Sequence, residues 1–457
     1  MTNINTFLIE NESTENKIIS HTPPSLNNTS RKEIREYFKN TWNLYELLFD
    51  SIIDDASYYQ SPDPLRNPLI FYFGHTAAFY VNKLELSGII NEGLNRYFED
   101  IFAKGVDPEN PKDLDHKELW PSVGEVKNYR KNVYDLLLNI IDKIDIPNQI
   151  TSNHQLWAIL MGIEHDRIHF ETSSVLIRQL NVHLVKKPQN WHYAPTFGKN
   201  NDYPWIHVES GSVKLGKQEP AQLYGWDNEY GSLPAIVKPF YATKNLISNG
   251  DYLNFVKSGA YNNSLYWCEE GLNWKKRTQT EHPKFWIRKE NDDFAYRAMF
   301  DFIEMPLDWP IEVNKFETLA YIAYKGKNCR LLTEKEFQLI AKNEYNQEEP
   351  VFNNNLNLNL KFGSPTPVGY FSNHKSKFND LFGNVWDWLD DDFSPLPGFK
   401  THPWYKDFSQ PYFDDRHSML LGGSWATTGT SASKFYRLWF RDYFYQHAGF
   451  RLAKSVN

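Results

Sequence analysis

The chain changes character near Pro188, and this change restricts the folds open to it. Between about residues 30 and 185, apolar residues recur at helical spacing in long segments, whereas the remainder has short apolar runs and many Gly and Pro turns. Twelve of the 15 tryptophans follow Asn190. We predict an α+β protein with two domains. The expected parts are a flexible segment over 1–29, a helical bundle over 30–187 and a mixed α+β domain over 188–457.

The first domain is predicted to be a four-helix bundle. Ser30 and Glu33 form a capping-box pattern, directly before the first periodic segment. Residues 107–120 predict a crossover or lid-like loop, because their Pro, Asp and Lys content fits no packed element. The four helices are expected over residues 34–52, 68–84, 123–144 and 152–180.

The second domain is predicted to contain short strands and few long helices. Its clearest helix start is Leu332-Thr-Glu-Lys-Glu336, where a capping residue precedes two carboxylates. The Asn-rich run over residues 353–359 predicts a surface loop.

Composition disfavours several classes of function. The balance of 49 Lys+Arg against 57 Asp+Glu includes no basic tail or stripe, which argues against nucleic acid or an anionic membrane as partner. No apolar run has the length of a membrane span or a signal peptide, so we expect a cytoplasmic protein. The two cysteines, Cys268 and Cys329, provide neither a disulfide framework nor a thiolate metal site. A small-molecule substrate is therefore expected.

Two histidines in the fourth predicted helix indicate a metal site. His165 and His169 are four residues apart, the spacing by which one helix directs two imidazoles to one ion. His75 is the best third ligand, because it lies in an apolar stretch where an unpaired imidazole is costly. Asp166 and Glu171 suit the shared face less well. The alternative is an ordinary core or surface pair of histidines. Three imidazoles suit zinc, ferrous iron or copper, so the residues leave the metal open.

Six motifs carry a more specific signal: GHTAAFYVNK at 74–83, EHDRIHFETSSVLIRQ at 164–179, WDNEYG at 226–231, GNVWDW at 383–388, GGSW at 422–425 and QHAGFR at 446–451. Together they resemble the 5-histidylcysteine sulfoxide synthase family of ovothiol biosynthesis, whose sister family acts in the ergothioneine pathway. The resemblance extends over nearly the whole chain from residue 30. The fourth and fifth motifs alone would indicate only the wider formylglycine-generating-enzyme-like fold.

The resemblance implies a DinB-like four-helix bundle followed by a formylglycine-generating-enzyme-like, C-type-lectin-like domain. It also implies a mononuclear non-haem Fe(II) at their interface, with His75, His165 and His169 at the ligand positions. The family couples cysteine to the imidazole 5-position of histidine with dioxygen, and the sulfur leaves as a sulfoxide. Three protein ligands leave coordination positions for the thiolate, the substrate imidazole and dioxygen.

A tyrosine of the second domain is a further site residue implied by the resemblance. In the family it donates a proton and an electron, which favours carbon–sulfur coupling over oxidation of cysteine to its sulfinate. Tyr405 is the first candidate and Tyr412 the second. Either position also suits a packed aromatic residue whose hydroxyl binds backbone.

Basic residues are needed for the carboxylate of a substrate. Lys127 and Arg130, at i,i+3 on the third predicted helix, point the same way and are candidates, although a solvated charged face explains them equally well. Arg437 and Arg441 are further candidates. Arg178 suits a structural role as well as a binding role.

Several alternatives remain open beside this interpretation. Ile168, between the two helix-four ligands, favours histidine over trimethylhistidine as acceptor, yet an ergothioneine-type synthase acting on trimethylhistidine (hercynine) shares the iron site. A DinB-type zinc thiol transferase would leave the second domain unexplained, and a binding protein without activity is a third alternative. Formylglycine generation is disfavoured, because Cys268 and Cys329 are 61 positions apart. No glycine-rich nucleotide-binding segment is present, so we expect a separate methyltransferase to act later.

Overall fold

The computed structural model describes residues 18–103, 114, 119–198, 204–290, 293–345, 349–372 and 376–456. Most of the lid-like loop predicted over residues 107–120 lies outside these residues, as does the start of the amino-terminal segment. None of the helices within these ranges is both long enough and apolar enough to cross a membrane.

Four long helices form the amino-terminal bundle, which confirms the predicted architecture. The first begins at the expected capping box: the Ser30 hydroxyl accepts from the Glu33 backbone N–H, and the Glu33 carboxylate accepts from the Ser30 N–H at 2.7 Å. Two helices end three residues earlier than predicted, each at a capping aspartate. The helices are α1 (Arg31–Phe49), α2 (Leu69–Leu86), the short α3 (Arg96–Ile101), α4 (Val123–Ile141) and α5 (Leu156–Gln179).

Helix α5 is the structural centre of the molecule. It packs against α1 and α2 within the bundle and against residues Gly429–Ala432 of the second domain. It is therefore buried on nearly every side and has no polar stripe. It begins at Leu156 rather than at the predicted residue 152, because the preceding residues form a turn in which the His154 N–H donates to the Thr151 carbonyl at 2.9 Å.

The second domain combines short strands with four helices in the described ranges. The strands are β1 (Trp205–Val208), β2 (Gly211–Leu215), β3 (Leu233–Val237), β4 (Phe240–Thr243), β5 (Trp286–Arg288), β6 (Phe294–Arg297), β7 (Phe302–Glu304), β8 (Trp386–Asp392), β9 (Ser418–Leu421), β10 (Leu438–Phe440), β11 (Ala448–Gly449) and β12 (Ala453–Ser455). The helices are α6 (Asn249–Lys257), α7 (Glu269–Thr278), α8 (Lys315–Lys325) and α9 (Glu334–Tyr345), of which α9 begins within the predicted start. The mixed α+β prediction is confirmed.

One four-stranded sheet contacts the bundle through Trp386. Its order is β10–β9–β8–β11, with β11 parallel to β8 and the other pairs antiparallel. The remaining strands form the antiparallel sheet β1–β4–β12, the hairpin β2–β3 and the meander β5–β6–β7. Strand β8 carries Trp386, whose indole reaches α5. This sheet therefore links the second domain to the metal-ligand helix predicted from sequence.

Two segments differ from their predicted character. The amino-terminal segment was expected to be flexible, yet in its described part Leu26 is buried and its backbone N–H donates to the Gln222 carbonyl at 2.7 Å. The Asn-rich run over 353–359 lacks regular structure, as expected, but it is only partly a surface loop. Asn357 is buried, and its side-chain amide donates to the Ser364 carbonyl at 3.1 Å. The side chain thus pairs a backbone carbonyl that lacks a partner from regular secondary structure.

Candidate metal centre

The three predicted ligands meet between α2 and α5. His75 comes from α2, while His165 and His169 come from successive turns of α5. One nitrogen of each ring lies within 4.8 Å of a nitrogen of the other two. The ring centroids are 4.4 to 5.0 Å apart. This spacing allows one ion to contact all three imidazoles.

Burial keeps these imidazoles neutral. It lowers the pKa of His75 to about 4, and it also lowers the pKa of His165 and His169, where neighbouring histidines add to the effect. The Nδ1 of His75 lies 2.6 Å from the Phe102 carbonyl oxygen, so this nitrogen carries the proton and Nε2 keeps its lone pair. Neutral imidazole is the form that binds metals.

Unpartnered nitrogens test whether the cluster fits a metal. Among the described residues, both ring nitrogens of His165 and the Nδ1 of His169 lack a hydrogen-bond partner. Leaving such buried groups unpaired is costly, whereas a coordinated ion would satisfy them. The Phe79 ring stacks on His165 at a centroid distance of 3.5 Å and fixes its plane. The donor set therefore fits a divalent transition metal with three nitrogen ligands.

A cavity of about 1180 Å³ opens at the cluster. Both domains line it: His75 and His169 come from the bundle, and Tyr405, Tyr412 and Arg441 come from the second domain. Its size accommodates two amino-acid substrates together. The site exists only where the two domains meet.

Tyr405 is the candidate tyrosine nearer to the histidines. Its ring lies 5.0 Å from Phe79 and 6.0 Å from His165. Burial raises the pKa of Tyr405, so the phenol is protonated at neutral pH. Tyr412 also lines the cavity but packs against Trp439, at 5.5 Å. The structure thus places both tyrosines in one cavity and only Tyr405 against the cluster.

Lys83 holds the segment that carries Tyr405. Its ammonium donates to the Trp404 carbonyl at 2.7 Å and lies 4.3 Å from the Tyr405 ring centroid. Burial lowers the pKa of Lys83 to about 8. Lys83 was not among the residues predicted from sequence, although a lysine on a mostly apolar helix was a visible signal.

The structure does not bring Lys127 and Arg130 to the site. Arg130 is buried inside the bundle, where its Nε donates to Glu46 and one Nη to the Phe73 carbonyl, both at 2.7 Å. Lys127 is half exposed and lies 3.8 Å from Asp50. Neither lines the cavity. The i,i+3 spacing places them on neighbouring positions of α4, but that face is turned towards α1 and α2.

The other basic candidates separate into two kinds. Arg441 lines the cavity, and one Nη lies 3.9 Å from an Asp414 oxygen. Arg437 instead forms a paired hydrogen bond with Glu334, at 2.7 and 3.0 Å. Arg178 forms buried hydrogen bonds of 2.8 and 2.7 Å to Glu312 and is structural.

Carboxylates on α5 fix the ligand helix to the second domain. Glu171 accepts from the Trp386 indole at 2.7 Å, from the Ser424 hydroxyl and from the Thr427 hydroxyl at 2.8 Å. Glu164 accepts from the Thr430 backbone N–H at 2.8 Å. The motifs GNVWDW and GGSW therefore contribute partners to α5 through Trp386 and Ser424. The seven-residue spacing of the two glutamates, on one face of an apolar helix, was the missed signal.

Two domain families match the chain in succession. The DinB superfamily matches residues 37–173, and the sulfatase-modifying factor enzyme 1-like domain matches residues 193–456. Since the second match covers more than half of the chain, the protein belongs to the sulfatase-modifying factor enzyme 1-like family, here joined to a DinB-like bundle.

Three curated relatives match the chain, two of them over most of its length. Ergothioneine biosynthesis protein 1 of Schizosaccharomyces pombe is 24% identical over 89% of this chain and 54% of its own length. Hercynine oxygenase of Mycobacterium tuberculosis is 30% identical over 52% of this chain and 57% of its own length. Hercynine oxygenase of Mycolicibacterium thermoresistibile is 25% identical over 88% and 91%. The chain spans about half the length of the first two relatives. The resemblance to the sulfoxide synthase families is confirmed at the level of family.

Proposed function

We propose that the protein is an oxygen-dependent non-haem iron sulfoxide synthase that couples cysteine to the imidazole 5-position of histidine and gives 5-histidylcysteine sulfoxide. The observation that carries the proposal is the buried cluster of His75, His165 and His169, whose unpartnered nitrogens border a cavity lined by both domains. A zinc thiol transferase of the DinB type would not need the second domain to complete that cavity.

The reaction balances without an external reductant. One carbon–sulfur bond forms, while the S–H bond of cysteine and one C–H bond of the imidazole ring break. One oxygen atom of dioxygen goes to sulfur, and the other leaves as water with these two hydrogens. The four electrons that reduce dioxygen come from the two substrates. The site therefore needs only a place for each substrate and a group that moves protons.

The protein's own residues supply these requirements. The three imidazoles would hold Fe(II), which when bound supplies the coordination of thiolate and the activation of dioxygen. Phe79 keeps the His165 ring in place. Tyr405 carries its proton at neutral pH and is positioned to donate a hydrogen at the cluster. Lys83 fixes the backbone beside it.

The acceptor has a second candidate. The relatives' names, ergothioneine biosynthesis protein 1 and hercynine oxygenase, favour trimethylhistidine. Ile168 lines the cavity between the two α5 ligands and offers an apolar surface rather than a polar contact, which supports histidine.

The test is a product assay. Protein loaded with Fe(II) under anaerobic conditions is mixed with cysteine and with either histidine or trimethylhistidine, exposed to dioxygen and analysed by mass spectrometry. The proposal predicts a histidine–cysteine sulfoxide. A product formed only with trimethylhistidine would establish the ergothioneine-type reaction, and no coupling with either acceptor would refute the synthase function.

A further inference from the structure

Among the arginines that line the cavity in the described part of the chain, Arg66 has no carboxylate partner. Arg66 precedes α2 and lines the cavity. Its guanidinium carbon lies 3.9 Å from the ring centroid of Phe444 and 5.3 Å from that of Phe440, both from the second domain. Stacking on an aromatic face fixes the guanidinium plane and leaves its N–H edge available. Its polar neighbour is the hydroxyl of Tyr72.

Of the other Lys and Arg side chains that line the cavity, three have partners, and the fourth, Lys406, is exposed. Arg441 lies near Asp414, Arg96 lies 3.3 Å from Glu85, and Lys83 donates to a backbone carbonyl. Within the described ranges, no carboxylate lies within ion-pair distance of Arg66. Asp63 also lines the cavity, but its Oδ1 accepts from the Leu65 backbone N–H at 2.8 Å. The Arg66 guanidinium is therefore fixed in position and suited to bind an anion that enters the cavity.

Arg66 also lies close to the metal cluster. The Tyr72 ring, next to Arg66, is 6.2 Å from the ring of His169. An amino acid bound at the metal through its sulfur or imidazole has its carboxylate a few bonds away. A cation that lies, like Arg66, beside the metal cluster would neutralise that carboxylate.

We propose that Arg66 binds the α-carboxylate of one of the two amino-acid substrates, through the N–H edge of its stacked guanidinium. This assignment rests on the proposed function. Cysteine and histidine present the same carboxylate, so the experiment must separate them.

The test compares each amino acid with its analogue that lacks the carboxylate. Binding of cysteine, cysteamine, histidine and histamine to the Fe(II)-loaded protein is measured by calorimetry without dioxygen. In Arg66→Met, one amino acid is expected to bind about tenfold more weakly while its analogue changes less than about twofold. A loss for cysteine alone assigns the cysteine carboxylate to Arg66, and a loss for histidine alone assigns that of histidine.

Controls separate binding from folding. Arg66→Lys keeps the charge but not the planar fork, so part of the affinity should return. Arg96→Met, an arginine at the same cavity that is paired with Glu85, should bind both amino acids like the unaltered protein. The proposal is overturned if neither amino acid loses affinity in Arg66→Met, or if the analogues lose as much. The binding measurement is made without dioxygen and therefore does not depend on the coupling reaction. If the product assay showed no coupling, the proposed function would be contradicted but the binding result would stand.

Discussion

At the scale of single residues, burial and neighbouring groups decide which side chains can take part in the chemistry of the site. His75 was identifiable from sequence because an imidazole in an apolar stretch needs a partner, and the structure supplies two further histidines. Lys127 and Arg130 lie away from the cavity, which their spacing did not reveal, since spacing shows that two side chains share a face but not where that face points. Burial and partners follow only from tertiary packing.

Replacing Tyr405 by Phe tests the hydrogen donor. The ring contacts to Phe79 and Phe408 should persist, so the change removes the hydroxyl alone. We expect the product to shift from sulfoxide towards cysteine sulfinate, with at least about a tenfold fall in the coupling fraction, measured by mass spectrometry. Tyr412→Phe is the matched control, expected to keep the original ratio. An unchanged ratio in both variants would remove tyrosine from the mechanism.

At the scale of elements, α5 connects the metal cluster to the second domain. Its ligand pair was visible in the sequence, as was its helical character. Its tertiary role was harder to see, because α5 is buried on nearly every side and only Glu164 and Glu171, seven residues apart, mark the face that meets the second domain. The motifs GNVWDW and GGSW indicated a fold, whereas the structure shows them supporting α5 through Trp386 and Ser424.

Glu171 is expected to stabilise the folded protein by holding α5 against the second domain. In Glu171→Ala three buried donors, from Trp386, Ser424 and Thr427, lose their acceptor. We expect a loss of about 3 kcal/mol in the free energy of unfolding, measured by urea denaturation. Asp135→Ala on the exposed face of α4 is the control and should change stability by less than about 0.5 kcal/mol. An equal effect of both substitutions would contradict this role of Glu171.

Glu312 gives the interface between α5 and the second domain a pH dependence. Burial alone would raise its pKa, but Arg178 and a hydrogen bond with His447 outweigh burial and lower the pKa from 4.5 to about 2. A carboxyl whose folded pKa is depressed stabilises the protein above its unfolded pKa. Its contribution is therefore complete above about pH 4.5 and is lost as the pH falls towards 2.

The corresponding variant is Glu312→Gln. It should destabilise the protein by about 3 kcal/mol at pH 7, because a buried arginine loses its counter-charge. The difference from the unaltered protein should shrink between pH 4.5 and 2, as measured by urea denaturation at several pH values. Glu209→Gln, at an 86% exposed side chain, serves as the control. A difference that stays constant over this range would show that the charge of Glu312 is not responsible.

For the whole molecule, the two-domain α+β architecture was predictable from periodicity and motifs, but the extent of the joint surface was not. Short strands on irregular backbone have weak sequence signals, and their order in the sheets depends on long-range contacts. The site lies on that joint surface, where Trp386 of one domain and Glu171 of the other meet. Neither domain alone forms the cavity.

The shared surface should make unfolding cooperative. Most tryptophans lie in the second domain, whereas the longest helices lie in the first. We expect tryptophan fluorescence and helical circular dichroism to give coincident urea transitions. Two separated transitions would show that the domains unfold independently. Arg178→Met, which removes a buried ion pair across the surface, should shift both signals together.

Iron binding tests the central claim most directly. Each of His75→Ala, His165→Ala and His169→Ala is compared with the unaltered protein by anaerobic equilibrium dialysis against Fe(II), with X-ray absorption to count nitrogen ligands. We predict one iron per chain with three imidazole nitrogens in the unaltered protein, and loss of tight binding in every variant. Iron bound equally well after removal of any of these histidines, or no specific iron binding at all, would contradict the account.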